Sequence, residues 1–396
     1  MVHFRKFQPT ELIFGAGTVD RAGEIVAQHG TRCLIVSRPT RHAFVDIYRR
    51  VMKSLAQVGV SYEHFDGVVP NPTTDCVTEG AELARKFGAD VVLGVGGGST
   101  MDAAKAIAVE AAHNGSAWDY LYFRDTQPTD RTLPIVTITT ISGSGSHVTQ
   151  FAVISNLRES TKSALAHELL YPRSSIVDPE LVESTPNNLT AASGFDVFCH
   201  AFESYIHLGA TPYSDLLALE AIKLVAAYLP RSVEDGQDKE AREQLAWADT
   251  LAGLCIANAG VTLPHGVAMT IGGRCPSVSH GEALAFVYPQ VVEFSYPSAI
   301  HRFAEMARIL EPELKEFSDE AAAARSPNVV GDFLKKIGLW INLRESGVTE
   351  EKLAEIADHS RDLPDYKNNP RIAERDDIYR MLLDAFERAP SPAAVE

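Results

Sequence analysis

The chain has 396 residues, 45% of them hydrophobic and 22% charged, with a formal net charge of −16 at pH 7. That length exceeds one ordinary hydrophobic core, so two domains are expected, and the composition is neither that of a disordered chain nor that of a membrane-embedded one. An acidic surface without a basic block disfavours nucleic acid and anionic lipid as partners, although a locally positive pocket could still hold an anionic cofactor.

The opening residues 1–7 lack the apolar core of a signal peptide, and no apolar run is long enough to span a bilayer. Cys33, Cys76, Cys199, Cys255 and Cys275 are odd in number, scattered and never spaced as CxxC, which fits free thiols in a reducing cytoplasm.

In chain order, residues 32–37 read as a buried strand and residues 44–58 as a helix ended by Gly59. Residues 74–87 read as a second helix with Gly88 as its C-cap, and residues 90–95 as a second strand. An Ala-rich helix over 99–112, a β-branched run over 133–139 and a short strand stopped by Pro179 follow. Strands alternating with helices predict a parallel sheet covered on both faces, an α/β domain over residues 1–185. From Pro186 the β-branched runs nearly disappear, and periodic Ala/Leu-rich stretches cover 189–208, 214–228, 241–257 and 283–294. The expectation is an all-helical second domain over 186–396, with residues 362–370 a loop before the last helix. There is no internal repeat and no low-complexity segment.

Three glycines, Gly96-Gly97-Gly98, follow a strand and open a helix at Ser99. Such a turn lets the backbone approach a pyrophosphate, and the helix end offers free N–H groups; a tight turn without ligand is the alternative. Residues 139–146, Thr-Thr-Ile-Ser-Gly-Ser-Gly-Ser, follow another strand and add small hydroxyl donors. Where NAD-specific sites place an acid for the ribose 2′-hydroxyl, the strand ending at Ser37 runs into Arg38 and Arg41. These arginines could fork onto a 2′-phosphate, so NADP is expected in preference to NAD; a solvated basic turn is the alternative.

In the second half, Asp196 and His200 stand four apart in an apolar helical run and share one face. Two lone histidines, His265 and His280, are each followed by a glycine. Together the four offer one oxygen and three nitrogen ligands, a set that suits Fe²⁺ or Zn²⁺ rather than a hard cation. Glu203 falls on nearly the same face and could orient a ligand, or simply form an ion pair. Cys199 turns to another helix face and reads as core, and His3, His29, His113 and His301 as ordinary residues.

With these residues the chain resembles the iron-containing (group III) alcohol dehydrogenase family over nearly its whole length. The resemblance covers Pro70-Asn71-Pro72-Thr73, the glycine turn with Asp102 and Lys105, the loop from Ser142 to Thr149, Lys162, Val177-Asp178-Pro179 and the Asp/His set. It implies that residues 1–185 are an α/β dinucleotide-binding domain, that residues 186–396 are an all-α metal-binding domain, and that Gly97, Gly98, Ser99, Asp102, Thr140, Ser144 and Lys162 line a cofactor site. It also implies that Asp196, His200, His265 and His280 bind Fe²⁺, or zinc in some members, at a cleft where the nicotinamide meets the metal. No catalytic group beyond the ligands is expected, and dimers or larger homo-oligomers are common in the family. The chain departs from the family pattern at Met269, where many members carry a His four residues after the third ligand, and at His147, where many carry Glu.

The expected chemistry is reversible hydride transfer between NAD(P) and an alcohol or aldehyde, with the metal as Lewis acid. A small anionic aldehyde such as phosphonoacetaldehyde would call on Arg274 helped by His147. The rivals are a lyase resembling dehydroquinate synthase, a polyol-phosphate dehydrogenase of the same fold, and a non-catalytic nucleotide-binding or metal-sensing protein. The first two need a cleft rich in Lys and Arg, yet only Arg274 is basic between His265 and His280.

Overall fold

The computed structural model describes residues 3–39, 44–344 and 347–388, so Arg41 lies outside the described residues. The chain divides into two compact units, one running from Arg5 to Thr185 and one from Pro186 onward that also takes in the residues before Arg5.

The first unit contains strands β1 (Glu11–Phe14), β2 (Arg32–Val36), β3 (Ser61–Phe65), β4 (Val91–Gly96), β5 (Ile135–Thr139), β6 (Phe151–Asn156), β7 (Thr161–Ala166) and β8 (Ser174–Val177). Six of them form one sheet in the order β1-β8-β5-β4-β2-β3, and every pairing in it is parallel. Alternate side chains of β2 serve opposite faces, as the pleat requires. Cys33 and Ile35 pack with Ile47, Val51 and Leu55 of helix α2 (Val45–Gln57), beyond the short α1 (Ala22–Val26). Leu34 and Val36 pack with Val77 and Ala84 of α3 (Thr74–Phe87) and with Ala103 and Ile107 of α4 (Gly98–Ala112). With both faces covered, the central strands read as unbroken apolar runs, the α/β architecture expected of the sequence.

Two strands escape the apolar-run criterion because they lie at the sheet edges. β3 is Ser-Tyr-Glu-His-Phe with its first three residues exposed, and β1 is only partly covered. The sequence also conceals an antiparallel hairpin, β6 paired with β7.

The second unit is helical: α5 (Asn187–Ile206), α6 (Pro212–Glu234), α7 (Lys239–Ile256), α8 (Leu263–Arg274), α9 (His280–Ser295), α10 (Ile300–Leu310), α11 (Asp319–Lys336), α12 (Glu350–His359) and α13 (Arg375–Glu387). From Phe195 to Ile206 every residue of α5 is buried, so this helix forms the centre of the unit. Phe195, Phe198 and Phe202 pack with Tyr288 of α9, Phe333 of α11 and Phe303 of α10. The stretch 362–370 is not a plain loop as expected: Pro364–Asn368 winds into a 3-10 turn whose Tyr366 is buried. Among the described residues no helix is long and apolar enough to cross a membrane.

Candidate functional site

The parallel sheet reverses its winding between β2 and β4, and in such sheets ligands gather beyond the carboxyl ends at the reversal. The glycine turn stands there, directly after β4. The Gly97 carbonyl accepts the N–H groups of Thr100 and Met101 at 3.0 Å each, opening α4. A side chain at Gly98 would begin 2.8 Å from the Cβ and Oγ of Ser144, so the two small-residue loops meet only because this position is glycine. Thr140 N–H donates to the Gly96 carbonyl at 3.1 Å and closes the same corner.

Asn71, in left-handed backbone with φ 51°, joins the remaining expected residues to this turn. Its N–H donates to Ser99 Oγ at 3.3 Å, and its Oδ1 accepts from Lys162 Nζ at 2.9 Å. Asp102 is committed to the protein itself, accepting from Ser146 Oγ at 2.7 Å and from Val153 N–H at 3.1 Å. Lys105, fully buried, donates to the Ser146, Thr149 and Phe151 carbonyls at 2.7, 2.9 and 2.8 Å and to Ser146 Oγ at 2.8 Å. Arg38 is exposed at the end of β2, where Ser37 Oγ donates to its carbonyl oxygen at 2.9 Å.

In the helical unit, Asp196 and His200 project from α5, His265 from the first turn of α8 and His280 from the first residue of α9. Asp196, His265 and His280 each present one ligand atom within 4.8 Å of the others. His200 stands just outside this trio, with Nε2 3.5 Å from Asp196 Oδ1 and its ring stacked on that of His265 at 4.8 Å between centroids. Gly281 lets α9 approach α5, since a side chain there would begin 2.2 Å from the Ala192 carbonyl oxygen.

Glu203, one helical turn beyond His200 and fully buried, accepts from His265 Nδ1 at 2.7 Å and from Thr262 N–H at 2.8 Å. With the proton on Nδ1, His265 Nε2 presents a lone pair. That lone pair faces Asp196 Oδ1 at 3.5 Å, and neither buried atom has a hydrogen-bond partner. Two acceptors face to face call for a cation or a proton between them. Burial alone would lower the His265 pKa, but the Glu203 and Asp196 carboxylates lift it to about 10. Burial likewise resists ionisation of Asp196, but His200, His280 and His265 hold its carboxyl well below the ordinary range. The pocket is therefore built to hold positive charge, and its donor set of one carboxylate and imidazoles suits Fe²⁺ or Zn²⁺.

The two residues expected to hold an anion are otherwise engaged. Arg274 is ion-paired with Glu355 of α12. His147 is fully buried, and burial together with the Lys105 charge pushes its pKa down to about 3, so it carries no charge at neutral pH.

Comparison with known proteins identifies the family. Residues 9–179 match the iron-containing alcohol dehydrogenase family, and residues 190–386 match the C-terminal region of the Fe-containing alcohol dehydrogenase family. The chain is 33% identical to the NAD-dependent methanol dehydrogenase of Bacillus methanolicus over 381 residues, covering 96% of this chain and 99% of that protein. It is 35% identical to the choline dehydrogenase of Bacillus subtilis (strain 168) over 374 residues, covering 94% and 92%. Its fold is similar to the crystal structure of an archaeal halo-thermophilic alcohol dehydrogenase from a Red Sea brine pool, with a TM-score of 0.93 at 34% identity, covering 97% and 99%.

Proposed function

The chain belongs to the iron-containing alcohol dehydrogenase family and is an NAD(P)-dependent oxidoreductase of alcohols and aldehydes, and on that premise we propose that it works on an uncharged alcohol or aldehyde with NADP in preference to NAD. The observation that carries this reading is the pair of buried acceptors, Asp196 Oδ1 and His265 Nε2, facing one another at 3.5 Å. In this reading Asp196, His200, His265 and His280 hold Fe²⁺, with Zn²⁺ as the alternative. When bound, the metal supplies Lewis acidity toward the substrate oxygen and the nicotinamide carries the hydride.

The protein's own residues do the rest. Glu203 keeps the proton of His265 on Nδ1 and so keeps Nε2 available as a ligand atom. The Gly97-Gly98-Ser99 turn and the start of α4 offer N–H groups to a pyrophosphate, with Lys162 Nζ nearby through Asn71. Thr140 and Ser144 stand on the facing loop, and Asp102 holds that loop in place through Ser146. Arg38, exposed at the sheet reversal, supports recognition of a 2′-phosphate. The pairing of Arg274 with Glu355 and the neutrality of His147 favour an uncharged substrate over an anionic one such as phosphonoacetaldehyde. They weigh equally against the lyase and polyol-phosphate rivals, whose substrates are anionic.

The deciding experiment reconstitutes the protein separately with Fe²⁺ and Zn²⁺ and follows oxidation of NADPH and NADH with neutral and anionic aldehydes. Metal-dependent turnover of neutral aldehydes that favours NADPH is expected. A wide preference for NADH overturns the role of Arg38, and undiminished turnover by metal-free His280→Ala overturns the role of the ligand set. The reading also includes a homo-oligomer, supported by the family resemblance and tested by light scattering. Five buried free cysteines support its placement in a reducing cytoplasm, tested by fractionation.

A further inference from the structure

The end of β2 is fixed by side chains from two neighbouring elements. Ile35 and His64 are register partners in β2 and β3, on the face that α2 covers, and Ser37, two residues beyond Ile35, takes the same side. Ser37 is fully buried, with its N–H donating to the Phe65 carbonyl at 2.9 Å and its carbonyl accepting from Val68 N–H at 3.2 Å. Its Oγ lies 2.7 Å from His64 Nε2 and donates to the Arg38 carbonyl at 2.9 Å. A hydroxyl has one proton, so once it is given to Arg38 the bond to His64 runs the other way, from Nε2–H to Oγ. Burial holds the His64 pKa below the ordinary value, with Asp66 opposing, so the neutral ring has one N–H to give. Tyr48 OH reaches the same Arg38 carbonyl at 3.5 Å, and its ring stands edge-on to that of His64 at 5.5 Å between centroids. Pro39 restricts Arg38 to extended backbone from the other side. The peptide after β2 is thus held by a chain of hydrogen bonds that begins on the next strand.

We propose that His64 is a positioning residue for cofactor discrimination: its Nε2–H orders Ser37, and through Ser37 the Arg38 peptide at the ribose 2′ position. This rests on the reading that the 2′ end of the adenosine is met at the end of β2, and it makes the choice of NADP depend on a residue of β3. Forked recognition of a phosphate needs a fixed backbone, because ordering a loose one on binding costs affinity.

His64→Phe keeps a ring against Tyr48 and removes the donor, whereas His64→Gln places an amide N–H where Nε2–H stands. Specificity constants of the metal-loaded proteins for NADPH and NADH, with one neutral aldehyde, read the effect. His64→Phe is expected to lower the NADPH-to-NADH ratio about tenfold, through the KM for NADPH, and His64→Gln to keep it within about twofold. Ser37→Ala, a smaller change that serves should His64→Phe fold poorly, lowers the ratio as far, and the double variant no further. A fall shared equally by both cofactors leaves the ratio unchanged and overturns the proposal, as does a loss in His64→Gln equal to that in His64→Phe. Calorimetric binding of 2′,5′-ADP relative to 5′-AMP separates the role of His64 from that of Arg38. If Arg38→Ala loses the preference for 2′,5′-ADP and His64→Phe keeps it, the role of Arg38 stands and that of His64 falls. If Arg38→Ala keeps the preference and His64→Phe loses it, the guanidinium has no part and His64 is upheld, with the held peptide as the discriminating group.

Discussion

Glu203 Oε1 accepts the Nδ1 proton of His265 at 2.7 Å, and its other oxygen accepts the Thr262 N–H that precedes α8 by one residue. One buried carboxylate therefore sets both the tautomer of a proposed ligand and the start of the helix that carries it. Glu203→Gln keeps the size but can offer only one acceptor oxygen. Satisfying Thr262 N–H turns the amide N–H₂ toward His265 and drives its proton to Nε2. Metal affinity is expected to fall about 10- to 100-fold, measured by competition with a chelator, with far-UV circular dichroism unchanged. Unaltered affinity would show that the tautomer is fixed by something else.

Gly281 governs the distance between α9 and α5. Its hypothetical Cβ falls 2.2 Å from the Ala192 carbonyl oxygen, a backbone atom that no rotamer change can move. Gly281→Ala must push α9 outward and carry His280 away from Asp196, where Nε2 and Oδ1 stand 3.9 Å apart. A loss of about 1–3 kcal/mol in stability is expected, together with a fall in metal per chain. Gly272 in α8 is the control, because a Cβ there meets nothing within 4 Å. Gly272→Ala should stabilise the helix by about 0.5–1 kcal/mol. Equal effects of the two substitutions on unfolding would refute the close-approach argument.

What could be read in the sequence was local, and what could not was distant. Helix α3 spans Thr74–Phe87 as its pattern predicts, because a capping Thr73 and a terminating Gly88 flank one amphipathic run. Asp196, His200 and Glu203 are legible as one helix face, since only the 3.6-residue period is needed to align them. β3 is not legible: an edge strand with three exposed residues has no buried period to display. The 3-10 turn Pro364–Asn368 sits in a Pro- and Asn-rich stretch that looks like any polar loop, and only the fold brings Ser360 and Asp365 against Gly266. The engagement of Arg274 with Glu355 is hidden for the same reason, since 81 positions separate the partners.

His147 gives the first unit a defined acid sensitivity. Its imidazole is neutral when folded, with a pKa of about 3 caused by burial and then by the Lys105 charge, and returns to the ordinary value of about 6.5 on unfolding. The unfolded chain binds the extra proton, so stability from this group is complete above about pH 6.5 and is lost as pH falls toward 3. Between about pH 7 and pH 5 the loss amounts to about 2 kcal/mol. His29, His64 and His207 are also lowered by burial and contribute their own slopes, so the comparison with a variant is the readout. His147→Gln should flatten the urea-unfolding free energy over this range by about that amount. Parallel curves for the two proteins would place the acid sensitivity elsewhere.

Lys105 joins α4 to the loop that faces the glycine turn. Its ammonium, buried without exposure, meets the carbonyls of Ser146, Thr149 and Phe151 and the Ser146 hydroxyl, which in turn donates to Asp102 Oδ1 at 2.7 Å. Lys105→Met would leave three carbonyls without their donor and Asp102 without its neighbouring charge. Removing one member of such a buried set costs about 3–5 kcal/mol, measurable by chemical denaturation. The functional consequence follows from the geometry. Ser144 stands on the loop so anchored, 2.8 Å from where a Gly98 side chain would begin, so a loosened loop blurs the cofactor corner. The KM for NADPH should rise several-fold while kcat at saturating cofactor changes little, since every hydrogen bond of Lys105 named above goes to the loop of residues 146–151. A variant that loses stability but keeps the same KM would make Lys105 a structural anchor alone, and one that loses kcat instead would give the loop a part in the hydride step.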